Sequence, residues 1–207
     1  MKKRNRYRLK PGLRKECMNH LGLEHKIKSI IGSSLSSVTY VELNRSNHDY
    51  HFQDIHTVDF GVEIGFSNGA MLHFSWDEEL SHFSIDLGAI PFSKRFILAE
   101  MQQWEVIREM EWQHLLNAKV RDVNIRWDWL KSRRGTKYYV PQDLVITFSN
   151  GKSVTLCVGE YENHPVLGPR LESMPGGDIF ILFTEEQTRK LRRGVHGVST
   201  SFLMINS

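Results

Sequence analysis

The tetrapeptide Phe66-Ser67-Asn68-Gly69 recurs as Phe148-Ser149-Asn150-Gly151, and in both places it divides two runs that alternate apolar and polar residues. Val62, Ile64 and Phe66 precede the first copy and Leu72, Phe74 and Trp76 follow it; Leu144, Ile146 and Phe148 precede the second, and Val154, Leu156 and Val158 follow. Period-two alternation on both sides of Asn-Gly is hairpin grammar, because Asn and Gly tolerate the positive φ that a two-residue type I′ turn requires. The expectation is one β-hairpin over residues 60–76 and another over 143–158. Upstream, Leu35, Val38 and Tyr40 match Val120, Val123 and Ile125, and downstream Phe83, Ile85 and Leu87 match Ile179, Ile181 and Phe183. Four strands in the same order with the same turn chemistry read as an internal duplication.

Helix signals surround these strands. Cys17 to Ile31 is expected to be helical and to stop at Gly32, and a central helix is expected from about Ser93 to Leu116, with Ile97, Met101, Trp104 and Leu115 near one face. Thr184-Glu185-Glu186 opens a short helix with an N-cap and an acidic first turn, and Leu191-Arg192-Arg193-Gly194 closes it. The fold class is therefore α+β: two diverged β-rich repeats with antiparallel hairpins, a helix between the halves and short terminal helices. The organisation is a basic arm over residues 1–15, a first repeat with the connecting helix over 16–116 and a second repeat over 117–207.

Charge is divided unevenly. Lys2, Lys3, Arg4, Arg6, Arg8, Lys10, Arg14 and Lys15 leave the first fifteen residues without an acid, and the rest of the chain holds 19 basic against 24 acidic side chains. A mildly acidic body does not hold a nucleic-acid backbone over a broad face, although the arm alone can do so. Cys17 and Cys157 are too few for a disulfide framework and read as reduced thiols. No apolar run reaches the roughly 18 to 20 residues of a membrane span, and the basic N-terminus lacks the apolar stretch of a secretory signal. A cytoplasmic protein with no membrane contact is expected.

The stretch from Gly61 to Asp77, GVEIGFSNGAMLHFSWD, and the stretch from Gly177 to Glu186, GDIFILFTEE, resemble a pattern in small bacterial proteins similar to immunity proteins of toxin-delivery systems. The resemblance implies a non-enzymatic binder of a partner protein and carries no catalytic residue across; no cofactor is expected.

Candidate sites follow from the chemistry of the side chains. Asp77, Glu78 and Glu79 end the first hairpin beside Trp76, and Glu160 and Glu162 end the second beside Tyr161. Solvated loop ends often carry acids, but acids beside aromatics also suit a basic protein, since charge steers encounter and rings supply affinity. The reading is a protein-binding module, an immunity-like neutraliser whose partner is a protein such as a toxin. The alternative is a nucleic-acid-associated protein using the basic arm. A third is a metal-dependent enzyme: His48, His51 and His56 lie within nine residues, together with Asp49 and Asp54, but the segment offers no register that completes a ligand set. Glu79/His82 and Glu111/His114 have di-iron spacing without the four long helices such a centre needs. Asp143 and Glu160 flank a hairpin as in some nucleases, but Glu162 stands where the lysine belongs. No catalytic residue and no metal ligand is assigned.

Overall fold

The computed structural model describes residues 25, 27–43, 49–76, 85–88, 92, 101–131, 137–164, 168–172, 178–192 and 198–203. Its strands, in chain order, are β1 (Leu35–Leu43), β2 (His51–Phe52), β3 (Ile55–Val58), β4 (Gly61–Phe66), β5 (Met71–Trp76), β6 (Ile85–Gly88) and β7 (Met101–Glu105), then β8 (Val120–Lys131), β9 (Lys137–Phe148), β10 (Ser153–His164), β11 (Gly168–Glu172), β12 (Asp178–Leu182), β13 (Leu191–Arg192) and β14 (Val198–Leu203). They form two sheets. One has five strands in the order β6-β5-β4-β1-β7; the other has nine, with β14-β8-β9-β10-β12-β3-β2 as its main path and β11 and β13 attached through β10. All pairings are antiparallel except β11 with β13. The architecture is β-rich α+β with short helices at Met110–Gln113 and Glu185–Lys190, and a helical segment at residues 27–30.

Both hairpins form at the expected places, but the turns differ from the expected two-residue type. Gly69 N–H bonds to Phe66 C=O at 2.9 Å and Phe66 N–H to Ala70 C=O at 2.9 Å, so Ser67, Asn68 and Gly69 make a three-residue loop. Only the glycine has positive φ, +80° there and +82° at Gly151, which matches a turn followed by one left-handed residue. The asparagine serves by its side chain. Asn68 Nδ2 donates to the Ser29 carbonyl and its Oδ1 accepts from Ala70 N–H; Asn150 Nδ2 donates to the His114 carbonyl and its Oδ1 accepts from Lys152 N–H.

The two sheets share a register around these turns. Leu35, Val38 and Tyr40 on β1 oppose Phe66, Ile64 and Val62 on β4, while Val120, Val123 and Ile125 on β8 oppose Phe148, Ile146 and Leu144 on β9. An irregularity falls just after Leu35 and just after Val120. Phe74 faces Leu87 and Trp76 faces Ile85, as Leu156 faces Ile181 and Val158 faces Ile179. The fourth strands therefore correspond two residues away from the sequence match, with Leu87 alongside Ile181 and not Phe183. An antiparallel Ser34–Lys119 bridge just before β1 and β8 sets their starts side by side, and the Ser34 and Lys119 carbonyls accept from Ser67 N–H and Ser149 N–H.

One continuous core is drawn from both sheets. It includes Val38, Tyr40, Ile64, Phe66 and Phe74 from the first, Val123, Ile125, Ile146, Phe148 and Leu156 from the second, and Ile27, Ile30, Trp112 and Leu115 from the helical segments. Cys157 is buried with Ile55, Phe180 and Leu182 in a smaller cluster, consistent with an inert thiol.

The expected helix from Ser93 to Leu116 is not formed over residues 101–105. That stretch is β7, whose Trp104 lies opposite Tyr40 and whose backbone completes the second edge of β1. Satisfying a row of strand hydrogen bonds outweighs the local helical preference. The helix proper is four residues, Met110–Gln113, continued by turns to residue 117. Residues 93–100 lie outside the described residues, as do 17–24 of the first expected helix. Leu191 and Arg192, expected to close the last helix, form β13 instead, and Gly194 is outside the described residues. The β2–β3 pair comes from the first half of the chain yet joins the nine-stranded sheet through β12, with Val58 opposite Ile179.

Candidate functional site

The β2–β3 pair carries two of the three clustered histidines into a place where the sheets meet. His51 and His56 are cross-strand partners with ring centroids 4.9 Å apart, and His48 lies outside the described residues. His56 is 3% exposed. Trp112 Nε1–H donates to the Tyr40 hydroxyl at 2.8 Å, and that hydroxyl lies 2.8 Å from His56 Nδ1. Because the indole can only donate, the simplest satisfied pattern has Tyr40 donating onward to His56 Nδ1. Neutral His56 then carries its proton on Nε2. Tyr50, Tyr40, His51 and Phe183 all contact its ring edge-on.

Carboxylates reach this cluster from the turn before and within the Met110–Gln113 helix. Tyr50 donates its hydroxyl to Glu109 Oε1 at 2.9 Å, and Glu109 Oε2 lies 3.9 Å from His51 Nε2. Glu111 Oε2 lies 3.9 Å from His56 Nε2. On the outer side, Asp49 Oδ1 is 2.8 Å from His51 Nδ1 and also accepts from His51 N–H. Burial pushes the His56 pKa down, opposed by the Glu111 charge, while the neighbouring His51 pushes it down further. Burial, the hydrogen bond to Glu109 and the surrounding carboxylates push Tyr50 up to about 12. Tyr40, wholly enclosed, is raised well above its ordinary value by burial despite the Trp112 hydrogen bond.

Met110 stands between the two glutamates and is 67% exposed, the one large hydrophobic left exposed among the described residues. Trp104, partly buried, packs its ring 5.4 Å from that of Tyr50. Segments 49–56 and 104–112 thus bring Asp49, Glu109 and Glu111 beside Tyr50, His51 and His56, with Met110 exposed next to the two glutamates in the chain.

Sequence reasoning did not find Glu109 and Met110, which fell inside the expected helix. Glu111 had been paired with His114 by spacing, but its near neighbour is His56; His114 is exposed and offers its carbonyl to Asn150. Among the described residues no three histidine, cysteine or carboxylate side chains are placed to hold a metal ion. Asp54 meets Gln187 instead: its carbonyl accepts from Gln187 Nε2 and its Oδ2 lies 3.4 Å from the same nitrogen, fastening the Glu185–Lys190 helix to the turn before β3. Asp143 is 1% exposed and lies 3.6 Å from Arg126, a buried structural pair in place of the open carboxylate that the nuclease layout needs.

Of the expected protein-binding residues, Asp77, Glu78 and Glu79 lie outside the described residues, as does the basic arm from Lys2 to Lys15. Trp76 ends β5. Glu160, Tyr161 and Glu162 do not end a hairpin: β10 continues to His164, and their backbones pair with Glu172, Leu171 and Arg170 of β11. Trp76 on β5 and Glu160–Glu162 on β10 lie in different sheets. No helix among the described residues is long and apolar enough to cross a membrane. No protein-family model, no curated protein and no solved structure matches the chain.

Proposed function

We propose that this chain is a non-enzymatic protein-binding module, an immunity-like neutraliser of a partner protein, built from two diverged repeats. The observation that carries the binding reading is Met110. A flexible, polarisable thioether exposed between Glu109 and Glu111 in the chain, with Glu109 held by the Tyr50 hydroxyl, combines an apolar anchor with steering charge. The acidic groups at Trp76 to Glu79 and at Glu160 to Glu162 are further parts of the proposed recognition surface, and the chain itself is proposed to act in the cytoplasm. The duplication is supported by the matched registers of β1-β4-β5-β6 and β8-β9-β10-β12, by the equivalent three-residue turns, and by β7 and β14 flanking β1 and β8 in the same way.

Affinity capture with the full chain from the cell that makes it tests the reading. A protein recovered by the wild-type chain and lost with Met110→Asp is expected, with the melting temperature unchanged because the side chain is in solvent. Recovery of nucleic acid in place of protein, abolished by removing residues 2–15, would replace this reading with the basic-arm alternative.

A further inference from the structure

At His56 the two sheets are tied by a hydrogen bond, and the atom that makes the tie is also the atom that takes up a proton. β1, which supplies Tyr40, belongs to the five-stranded sheet, and β3, which supplies His56, to the nine-stranded one. The Trp112 indole donates to the Tyr40 oxygen at 2.8 Å, and the Tyr40 hydroxyl lies 2.8 Å from His56 Nδ1. Tyr40 and Trp112 are fully buried and His56 is 3% exposed, so solvent does not stand in for a lost partner. With the Tyr40 hydroxyl donating, neutral His56 keeps its own proton on Nε2 and its lone pair on Nδ1. A proton added to His56 therefore lands on Nδ1. That nitrogen then donates and no longer accepts, and the Tyr40 hydrogen loses its acceptor inside the core.

Protonation also creates an attraction on the other side of the ring. Glu111 Oε2 lies 3.9 Å from His56 Nε2, too far for a hydrogen bond but near enough for the carboxylate to draw an imidazolium. The Glu111 side chain is 39% exposed, so closing that gap disturbs little of the core. The other titratable groups around the ring are Asp49, Tyr50, His51 and Glu109. His51 is the cross-strand neighbour on β2, with ring centroids 4.9 Å apart. Asp49 is engaged by His51, and Glu109 by the Tyr50 hydroxyl. Phe183 completes the enclosure edge-on and adds no charge. Burial favours the neutral ring, Glu111 favours the charged one, and a charged His51 opposes it. The ring thus stands between a bond that only its neutral form makes and an ion pair that only its charged form makes.

We infer that His56 is a proton-operated latch: neutral, it accepts from Tyr40 and ties β3 to β1; protonated, it releases Tyr40 and pairs with Glu111, tying β3 to the Met110–Gln113 helix instead. The step is acid–base alone, a proton from water adding to the Nδ1 lone pair with no other covalent bond made or broken. It goes beyond the binding reading and needs no partner protein.

The test is a titration of the full chain from about pH 8 to about pH 4.5, with the His56 imidazole nitrogens and the Trp112 indole N–H followed by NMR. At the upper end the proton is expected on Nε2, with Nδ1 bare. As pH falls, protonation of Nδ1 and displacement of the Trp112 signal are expected to share one midpoint while the chain stays folded. Glu111→Gln, a change at a partly exposed side chain, is expected to lower the proton affinity of His56 about threefold or more, because it removes the charge that only the protonated ring uses. Tyr40→Phe is expected to raise it by about the same factor, because it removes the bond that only the neutral ring makes. Glu109→Gln is expected to change it less than Glu111→Gln does. Should Tyr40→Phe fail to fold, the wild-type protonation pattern and Glu111→Gln still decide. A proton on Nδ1 at the start, a Trp112 signal indifferent to His56, or a His56 that stays neutral until the whole chain unfolds would overturn the latch. So would a Glu111→Gln chain whose His56 binds its proton as tightly as wild type, equal effects of Glu109→Gln and Glu111→Gln, or a folded Tyr40→Phe chain with unchanged or lowered affinity.

Discussion

Replacing Tyr40 by Phe isolates the hydroxyl that joins the two sheets. Tyr40 and Trp112 are 0% exposed and His56 is 3% exposed, so the variant leaves the indole N–H and the His56 Nδ1 without their partner and without water. An orphaned buried polar group costs about 1 to 3 kcal/mol. Two of them give about 2 to 6 kcal/mol, a large part of the roughly 5 to 15 kcal/mol that stabilises a typical domain. The ring itself stays, with its edge-on contacts to Tyr50, His56 and Trp112, so little cavity is created. For a chain of 207 residues the melting temperature should fall by at least about 4 °C. Urea unfolding of Tyr40→Phe, Trp112→Phe and the double variant closes a cycle. Because both single changes break the same hydrogen bond, their effects should fall short of additive in the double variant by about 1 kcal/mol or more. A cost below about 0.5 kcal/mol for Tyr40→Phe, or additivity within that margin, would refute the bridging role.

Three other expectations come from the same structure. A Cβ at Gly69 or Gly151 meets nothing within 4 Å, so Gly69→Val and Gly151→Val should each cost backbone strain alone, about 1 to 3 kcal/mol; a severe effect at one turn and none at the other in thermal melts would deny their equivalence. His56 has a lowered pKa in the fold, so the unfolded chain binds its proton first as pH falls; stability should be full above about 6.5 and decline below it, and His56→Phe should flatten that slope in denaturant titrations. Tyr50 is raised to about 12, so between pH 10 and 12 the unfolded chain loses a proton that the fold retains; stability should fall with rising pH, and tyrosinate absorbance near the ordinary pKa for all six tyrosines in the folded chain would contradict it.

The parts of this fold that were legible in the sequence are those set by neighbours along the chain. Alternation around residues 66–69 and 148–151 gives the hairpins, because a period of two with a turn glycine has few other solutions. Thr184 is a second case: its hydroxyl accepts from Gln187 N–H while Gln187 Oε1 accepts from Thr184 N–H, a reciprocal cap readable from residue type and spacing. What escaped depends on distant partners. Residues 101–105 became a strand because β1 had a second edge to satisfy, which no local pattern reveals. The β2–β3 pair joined β12 from far along the chain. That pairing brings His56 to Glu111 and His51 to Glu109, so this cluster exists only through contacts between separated segments. Tyr40 carries a faint signal, since Ile125 occupies the matching register in the other sheet and a buried hydroxyl there needs a partner.

The claim that this chain recognises a protein through the surface around Met110 is tested most directly by photo-crosslinking in the producing cell. A photoreactive amino acid is placed at position 110 in one variant and at position 152, an exposed turn residue, in another. The account predicts a discrete protein adduct from position 110, diminished by Glu109→Gln/Glu111→Gln, and none from position 152. An adduct of equal yield from position 152, or one from position 110 that ignores the loss of both glutamates, would contradict it.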